Sequence, residues 1–510
     1  MKRIFAVVAM TWLTCFPAYV MDLLEVYELA VAGDPALLQM EAKRNATLKN
    51  KPISLAKLLP QVSFYGDFRE YQTVTGKSPI TAQANTNNSY WLGYYTLRLT
   101  QPLFHYDSWV QYWQADMDIA QAQANLEAAY QDVAIRVAKA YFTVLFAEEN
   151  LEFTTVELQS LDLQLAQVKE RLAAGFATVV DESEVQAQRD KIAADLILAE
   201  QQLYDAKQAL REIIGPVEIS LMRVPAELQL AKPEPADVEA WHAAAQQSNL
   251  GILAASSGAD AAKQNIDLYF AGHMPTVDLV AFKGYYNNNR PNGVAYDENN
   301  VGVAVNVPLF SGGGVNAKVE QARDAYEQAL HEVDKQRRAA ERQVRDAYRG
   351  VMAAIGRVEA LKTALKSAQT AFDASQFGFQ AGSQTMVDVI IMQSRFFAIR
   401  RDYARARYDY LVNGLVLKQA AGTLTGEDMA EVNFVIHGGR TALPTPSRSP
   451  ARRGTSVRDS AEAKPTGEGT ERPERHRHAG APTDTDAAPA AAPASRPPAA
   501  APRRRESTLP

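Results

Sequence analysis

Two hydrophobic patterns alternate along the chain, and the longer one is helical. Residues 103–174 contain neither Gly nor Pro and are rich in Ala, Gln, Glu and Leu. Their apolar positions recur at spacings of three and four, which predicts coiled-coil packing of a helix about 100 Å long. These positions are Val110, Trp113, Met117, Ala120, Ala124, Leu158, Leu161, Leu165, Val168 and Leu172.

The same helical pattern returns in the second half of the chain. Its apolar positions are Val319, Ala322, Tyr326, Ala329, Val333, Leu361, Leu365, Ala368 and Phe372. Gly175 and Gly382 interrupt the two patterns, and a second helical stretch runs from each of them to Gly215 and Gly422. Each half therefore predicts a long helical hairpin.

The second pattern is strict alternation over short segments near residues 59–71, 90–104, 274–286 and 298–310. Apolar and polar side chains alternate there, aromatic residues cluster towards the ends, and Asn, Gly and Pro fill the connecting loops. Length, period and aromatic ends predict transmembrane strands. A strand pair in a soluble sheet has the same period and is the alternative.

Four strands are too few to close a barrel, which needs about eight. An open edge in lipid leaves backbone groups unpaired at a cost of several kcal/mol each. If these strands span a membrane, the barrel is shared between chains, with eight strands in a dimer or twelve in a trimer. The pattern itself does not choose between these numbers.

A tandem duplication relates the two halves. The motif G-x-x-T-x-V-D occurs at residues 175–181 and again at 382–388, 207 positions later. We expect a first repeat over 21–215 and a second over 241–422, joined by 216–240 and followed by 423–440. Each repeat would contribute two strands and one helical hairpin.

Composition removes several function classes. The 510 residues include one Cys, which excludes a disulfide framework, and the net charge of −6 disfavours nucleic acid as a partner. We find no HExxH, GxSxG, P-loop or GxGxxG motif, so we expect no catalytic residues, no cofactor and no metal. Residues 441–510, rich in Pro, Ala and Arg, predict a disordered tail.

The first 20 residues predict a signal peptide, because Lys2-Arg3 precedes an apolar run from Ile4 to Phe16. Lipidation at Cys15 is the alternative, although the residues before it lack the small side chains that processing prefers. No later segment offers about 18 uninterrupted apolar residues. We therefore expect an exported protein that crosses a membrane, if it does, as a β-barrel.

The order of these motifs resembles that of the TolC-like outer-membrane efflux and secretion channels. The resemblance covers residues 22–425 and includes both PLF strand ends, at 102–104 and 308–310, and both tip motifs. It implies a mainly helical fold with membrane strands, in which tandem helical hairpins build an α-helical barrel. A homotrimer would share a 12-stranded β-barrel in outer-membrane lipid and extend a helical tunnel into the periplasm. Segments 216–240 and 423–440 would form an equatorial girdle.

The resemblance also implies partners and a gate. The hairpin tips, including Gly175, Thr178, Gly382 and Thr385, would meet a periplasmic adaptor protein that joins them to an inner-membrane transporter of the RND or ABC type. In this family the tips close the periplasmic entrance.

Several gate positions of the family are changed here. Asp388 matches the first of two aspartates that ring the narrowest point, and Ile391 stands at the second. Phe379 replaces a gate tyrosine, and Gln384 replaces a gate arginine whose acidic partner matches Asp181. We therefore expect one acidic ring of three Asp388 side chains that attracts cations, and a weaker latch in which Gln384 donates to Asp181.

A structural role is the alternative for these tip residues. Thr178-x-x-Asp181 and Thr385-x-x-Asp388 both fit the capping box that begins a helix. Phe379 continues the apolar seam of its helix, which favours core packing.

The function expected from all these features is a passive conduit between periplasm and exterior, serving drug efflux or type I secretion. The second hypothesis is a non-conducting coiled-coil structural protein of the periplasm or outer membrane. A soluble enzyme is the third.

Overall fold

The computed structural model of the chain describes residues 20–75, 86–288 and 293–439. The predicted signal peptide up to residue 19, the possible lipidation site Cys15 and the predicted tail over 441–510 lie outside the described residues.

Ten helices dominate the described part of the chain. They are α1 (Leu23–Gly33), α2 (Pro35–Leu48), α3 (Asn50–Ala56), α4 (Tyr106–Ala173), α5 (Val179–Ile214), α6 (Val238–Ser248), α7 (Leu250–Phe270), α8 (Gly314–Gln380), α9 (Met386–Ala421) and α10 (Gly426–Ile436). Within these residues, no helix combines the length and the apolar character needed to cross a bilayer.

The tandem duplication appears as two helical hairpins of matching size. Helix α4 has 68 residues and returns as α5 with 36, while α8 has 67 and returns as α9 with 36. At 1.5 Å per residue, each long arm extends about 100 Å. In each hairpin the long arm is nearly twice as long as the returning arm, so its first half packs against other elements. Helix α7 lies beside both α4 and α8 there, and α2 and α3 lie beside α4.

One four-stranded antiparallel sheet precedes the long arms. Its strands are β1 (Gln61–Thr75), β2 (Thr86–Phe104), β3 (Thr276–Asn288) and β4 (Ala295–Asn306), in the order β1-β2-β3-β4. Strands β1 and β4 each have one neighbour within the described residues. The strand predicted over 298–310 is shifted, because β4 begins three residues earlier and ends at Asn306. Pro308, which lacks a backbone N–H, follows this end.

The strand register places the apolar side chains on one face of the sheet. Val62 lies opposite Leu99, and Phe64 lies opposite Leu97. Both Val62 and Phe64 are exposed, at 65% and 70%. The alternation predicted from the sequence therefore produces an exposed apolar face on this sheet.

Two apolar cores hold the helices together. The larger core joins α1, α6 and α10 to the middle of the hairpins, and the smaller core lies near the hairpin tips. The coiled-coil seam predicted for the start of α4 is partly wrong, because Trp113 is 46% exposed and Ala120 is also exposed. Helix α4 contacts α2, α3 and α7 there, so a single two-helix seam does not describe its packing.

The segment between the repeats is largely irregular. Leu221 forms an isolated parallel β-bridge with Met21, which brings the start of the described chain against this segment. The segment after the second hairpin contains α10, and Lys418 of α9 holds it through an ion pair with Asp428 at 2.7 Å. Both segments therefore pack around the middle of the molecule.

Candidate gate at the hairpin tips

Each hairpin turns at a glycine in the left-handed region. Gly175 has φ +80° and Gly382 has φ +79°, a conformation that L side chains rarely adopt. After the first of these turns, the Phe176 N–H donates to the Arg171 carbonyl at 2.8 Å. At the second, the Ser383 N–H donates to the Gly378 carbonyl at 2.8 Å. These bonds end α4 and α8 with the same geometry.

A complete capping box begins the returning helix at both tips. In the first, the Thr178 N–H and hydroxyl donate to Asp181 Oδ2 at 2.9 and 2.7 Å, and the Asp181 N–H donates back to Thr178 Oγ1 at 3.1 Å. In the second, Thr385 donates to Asp388 Oδ2 at 3.0 and 2.7 Å and accepts at 3.3 Å. The capping function predicted for these four residues is therefore present in the structure.

The tip residues differ in how accessible they are. Asp388 and Ile391 are exposed on α9, whereas Phe379 is half-buried against the smaller core. The Gln384 side chain lies over Gly378, while Asp181 takes its hydrogen bonds from Thr178. The predicted hydrogen bond from Gln384 to Asp181 is not formed among the described residues of this single chain and stays a prediction.

Comparison with known proteins gives the context of these tips. The chain matches the family described as outer membrane efflux protein over residues 26–216 and 241–423. These two segments contain both halves of the duplication and both tips.

The chain belongs to the outer membrane efflux protein family.

Relatives of this family agree over most of the chain. Outer membrane protein TolC of Vibrio cholerae is 34% identical over 420 residues, which cover 81% of this chain and 93% of that protein. The proteases secretion protein PrtF of Dickeya chrysanthemi is 28% identical and covers 81% of this chain and 91% of its own. The fold matches a crystal structure of CusC with a TM-score of 0.68 at 17% identity, covering 80% of this chain and 95% of CusC.

These matches confirm the family, the outer-membrane location and the function as an outer-membrane efflux or secretion channel that the sequence predicted. The fold is mainly helical with a small antiparallel sheet, as in the solved channels of this kind. Because the matched family consists of channel proteins, these findings favour the channel over the two other hypotheses, a non-conducting coiled-coil protein and a soluble enzyme.

In this member of the outer membrane efflux protein family, several polar contacts join the two hairpins at points that the sequence analysis did not single out. Arg407 pairs with Glu149 at 3.0 Å, Arg401 pairs with Glu157 at 3.0 Å, and Gln164 donates to Gln393 at 2.6 Å. The sequence did contain a signal for two of these contacts, since the polar residues Glu157 and Gln164 stand at positions of the seam that are otherwise apolar, beside Leu161, Leu165 and Val168. A polar residue at such a position predicts a specific partner.

The two tip carboxyls have lowered pKa values. At both tips, the principal cause is the hydrogen bond from the capping threonine to the carboxylate, for Asp181 from Thr178 and for Asp388 from Thr385. Such bonds favour the charged form of the carboxyl. Both tips therefore carry a carboxylate at neutral pH.

These pKa shifts predict that acid loosens the tips. A carboxyl with a lowered folded-state pKa stabilises the fold above its unfolded pKa, about 4, and loses this contribution as pH falls through the folded value. We expect hydrogen-exchange protection in the first turns of α5 and α9, corrected for intrinsic rates, to fall between pH 5 and pH 2–3. The middle of α4 should keep its protection.

A capping variant separates this effect from general acid denaturation. Thr385→Val removes the hydroxyl that donates to Asp388, so the first turn of α9 should be poorly protected at every pH while that of α5 still responds. Equal protection of both turns at pH 3 and pH 6 in the native protein would contradict the prediction.

Proposed function

We propose that three copies of this chain assemble into a continuous passive conduit from the periplasm to the exterior. The observation that carries the proposal is the sheet itself, which has four strands, an exposed apolar face and one neighbour each for β1 and β4. Pairing β1 of one subunit with β4 of the next completes the backbone hydrogen bonds that a bilayer requires. Three subunits give a barrel of twelve strands, within the size range of outer-membrane barrels.

The helical part extends this barrel into a tunnel. Each subunit contributes two hairpins whose long arms measure about 100 Å, and three subunits give twelve helical arms around one axis. Residues 216–240 and helix α10 pack around the middle of the hairpins and form the equatorial girdle. The tunnel is passive, and partner proteins drive the transport through it.

The partners are a periplasmic adaptor and an inner-membrane transporter of the RND or ABC type. The tips are the surface that an adaptor reaches, and Gly175, Thr178, Gly382 and Thr385 are all exposed there. PrtF is a proteases secretion protein by name, which supports secretion, while the family description supports efflux. Both uses fit one tunnel, because substrate choice belongs to the transporter.

The entrance of this tunnel is formed by the exposed face of α9 near its start. Three Asp388 side chains converge there into one acidic ring, with Ile391 one turn further along the same helix. Asp388 acts both as the capping residue of α9 and as the pore-facing carboxylate. Without an arginine at residue 384, the ionic latch between subunits is weaker than in relatives that have one.

Single-channel conductance in planar bilayers tests this function. Purified protein should open discrete channels that divalent cations block from the periplasmic side. Asp388→Asn removes the charge but keeps an acceptor for Thr385, so the helix start is retained. At about 6 Å in water, a divalent ion and one carboxylate attract by roughly 1.4 kcal/mol, so we expect block to weaken at least about tenfold.

Asp402→Asn provides a matched control. Asp402 is exposed on the same helix, 14 residues and about 21 Å further from the tip. This variant should be blocked like the native protein. Unchanged block in Asp388→Asn would leave Asp388 with the capping role alone, and folded oligomeric protein that passes no current would contradict the conduit.

A further inference from the structure

One contact joins the two hairpins at the tips themselves. The guanidinium carbon of Arg171 lies 4.5 Å from the centroid of the Phe379 ring. Arg171 is in the last turn of α4, four residues before Gly175, and Phe379 is near the end of α8, three residues before Gly382. Among the hydrogen bonds, ion pairs and ring contacts described between the hairpins, this one is nearest to both tips.

The other contacts between the hairpins lie further from the tips. Gln188 donates to Ser394 at 3.0 Å, and Gln164 donates to Gln393, all of them more than about three helical turns from the glycine breaks. The smaller apolar core reaches closer to the tips than these hydrogen bonds, because Val168 and Met386 belong to it, and Phe379 packs against it. At the tips, the contact of Arg171 with Phe379 therefore adds to the apolar packing of this core.

Arg171 is not engaged in an ion pair within the part of the chain that the structure describes. Its neighbour Lys169 differs, because Lys169 approaches Glu182 of the same hairpin at 3.9 Å. The pKa of Asp181 is lowered mainly by the hydrogen bonds from Thr178. The positive charge of Arg171 lowers it further. Arg171 thus stands between an aromatic ring of one hairpin and a carboxylate of the other.

We infer that Arg171 and Phe379 form a latch within each subunit that holds the two hairpin tips together in the closed entrance. This inference rests on the proposed function as a gated conduit. The latch occupies the place where the sequence lacks two gate residues, because Phe379 has no hydroxyl and Gln384 has no charge. A guanidinium stacks on an aromatic face without needing a hydroxyl or an acidic partner.

The strength of this latch follows from its exposure. Arg171 and Phe379 are both half-buried, and cation–π contacts of this kind shift an equilibrium by about two- to fivefold. When three subunits open together, the factors multiply to roughly 10- to 100-fold in the ratio of open to closed channels. Single-channel recording resolves a change of this size.

The test compares single-channel open probability of full-length protein at constant ionic strength. Arg171→Gln removes the cation, and Phe379→Leu removes the ring while keeping an apolar side chain on the core. Each should raise the open-to-closed ratio by roughly 10- to 100-fold, and the double variant should open no more than either single variant. Phe379→Tyr keeps the ring and should stay closed like the native protein.

Lys169→Gln is the control for charge at the entrance, since it removes one positive charge from the same turn of α4. It should leave the open probability unchanged. Equal opening by Lys169→Gln and Arg171→Gln, additive effects in the double variant, or native behaviour of Phe379→Leu would each overturn the latch. Absence of any channel in the native protein would instead contradict the proposed function, so the two failures are distinguishable.

Discussion

Replacing Arg407 by Met is expected to lower the free energy of unfolding by about 3–5 kcal/mol, the largest effect that we expect from a single side chain. The Arg407 side chain is 5% exposed and that of Glu149 14%, and the guanidinium reaches both Glu149 oxygens at 3.0 and 3.1 Å. It also donates to the Pro225 carbonyl at 2.8 Å. Loss of the guanidinium leaves a buried carboxylate and a carbonyl without their donor. Urea unfolding of the detergent-solubilised protein measures the change.

Arg357→Met is the matched control. Arg357 approaches Asp409 at 3.8 Å, and both side chains are about half exposed, at 54% and 46%. An exposed pair of this kind contributes about 0–1 kcal/mol. Similar losses for Arg407→Met and Arg357→Met would show that the buried pair does not hold the hairpins and the linker together.

Gly422→Ala is expected to cost roughly 2–4 kcal/mol, because the new Cβ meets fixed backbone. Gly422 has φ +74° at the end of α9, and the added atom would overlap the Ser248 carbonyl and lie 2.7 Å from Asn249 Cα. Asn249 cannot easily move, since its side chain donates to the Ala420 carbonyl at 3.0 Å and caps α7. The measurement is the midpoint of thermal unfolding, followed by helical circular dichroism.

The duplication supplies the control for this variant. Gly215 holds the equivalent place at the end of α5 with φ +87°, but an added Cβ there meets nothing within 4 Å. Gly215 has ψ −177°, a backbone conformation that is essentially restricted to glycine, so Gly215→Ala should cost backbone strain alone, about 1–3 kcal/mol. Equal losses at the two glycines would show that strain, and not the contact with Ser248, determines the effect.

Local sequence signals predicted the hairpins and their tips well. A glycine break followed by Thr-x-x-Asp specifies a turn and a capped helix using only neighbouring residues, and the structure forms both capping boxes at residues 178–181 and 385–388. Strand period likewise depends on neighbouring residues, so the exposed face around Val62 and Phe64 followed from the pattern. The role of Asp388 in the pore depends on other subunits and stays a prediction.

Contacts between distant segments were not predictable in the same way. Arg407 and Glu149 are 258 residues apart, and nothing near either one indicates its partner. The contact between Arg171 and Phe379 is of the same kind, because neither residue stands out in its own helix and the contact exists only when the two hairpins lie side by side. The exposure of Trp113 was also not predictable, since the spacing of apolar positions along a helix does not show which helices pack around that helix.

The two edge strands of the sheet, β1 and β4, also affect the protein between export and assembly. In the proposed assembly, β1 and β4 of the described sheet each lack a second neighbour until subunits meet, and such an edge can pair with another extended chain. The interval between export and assembly is then the period of greatest risk of misassembly. In the proposed trimer, rapid pairing of subunits shortens this interval and so limits misassembly through the open edges.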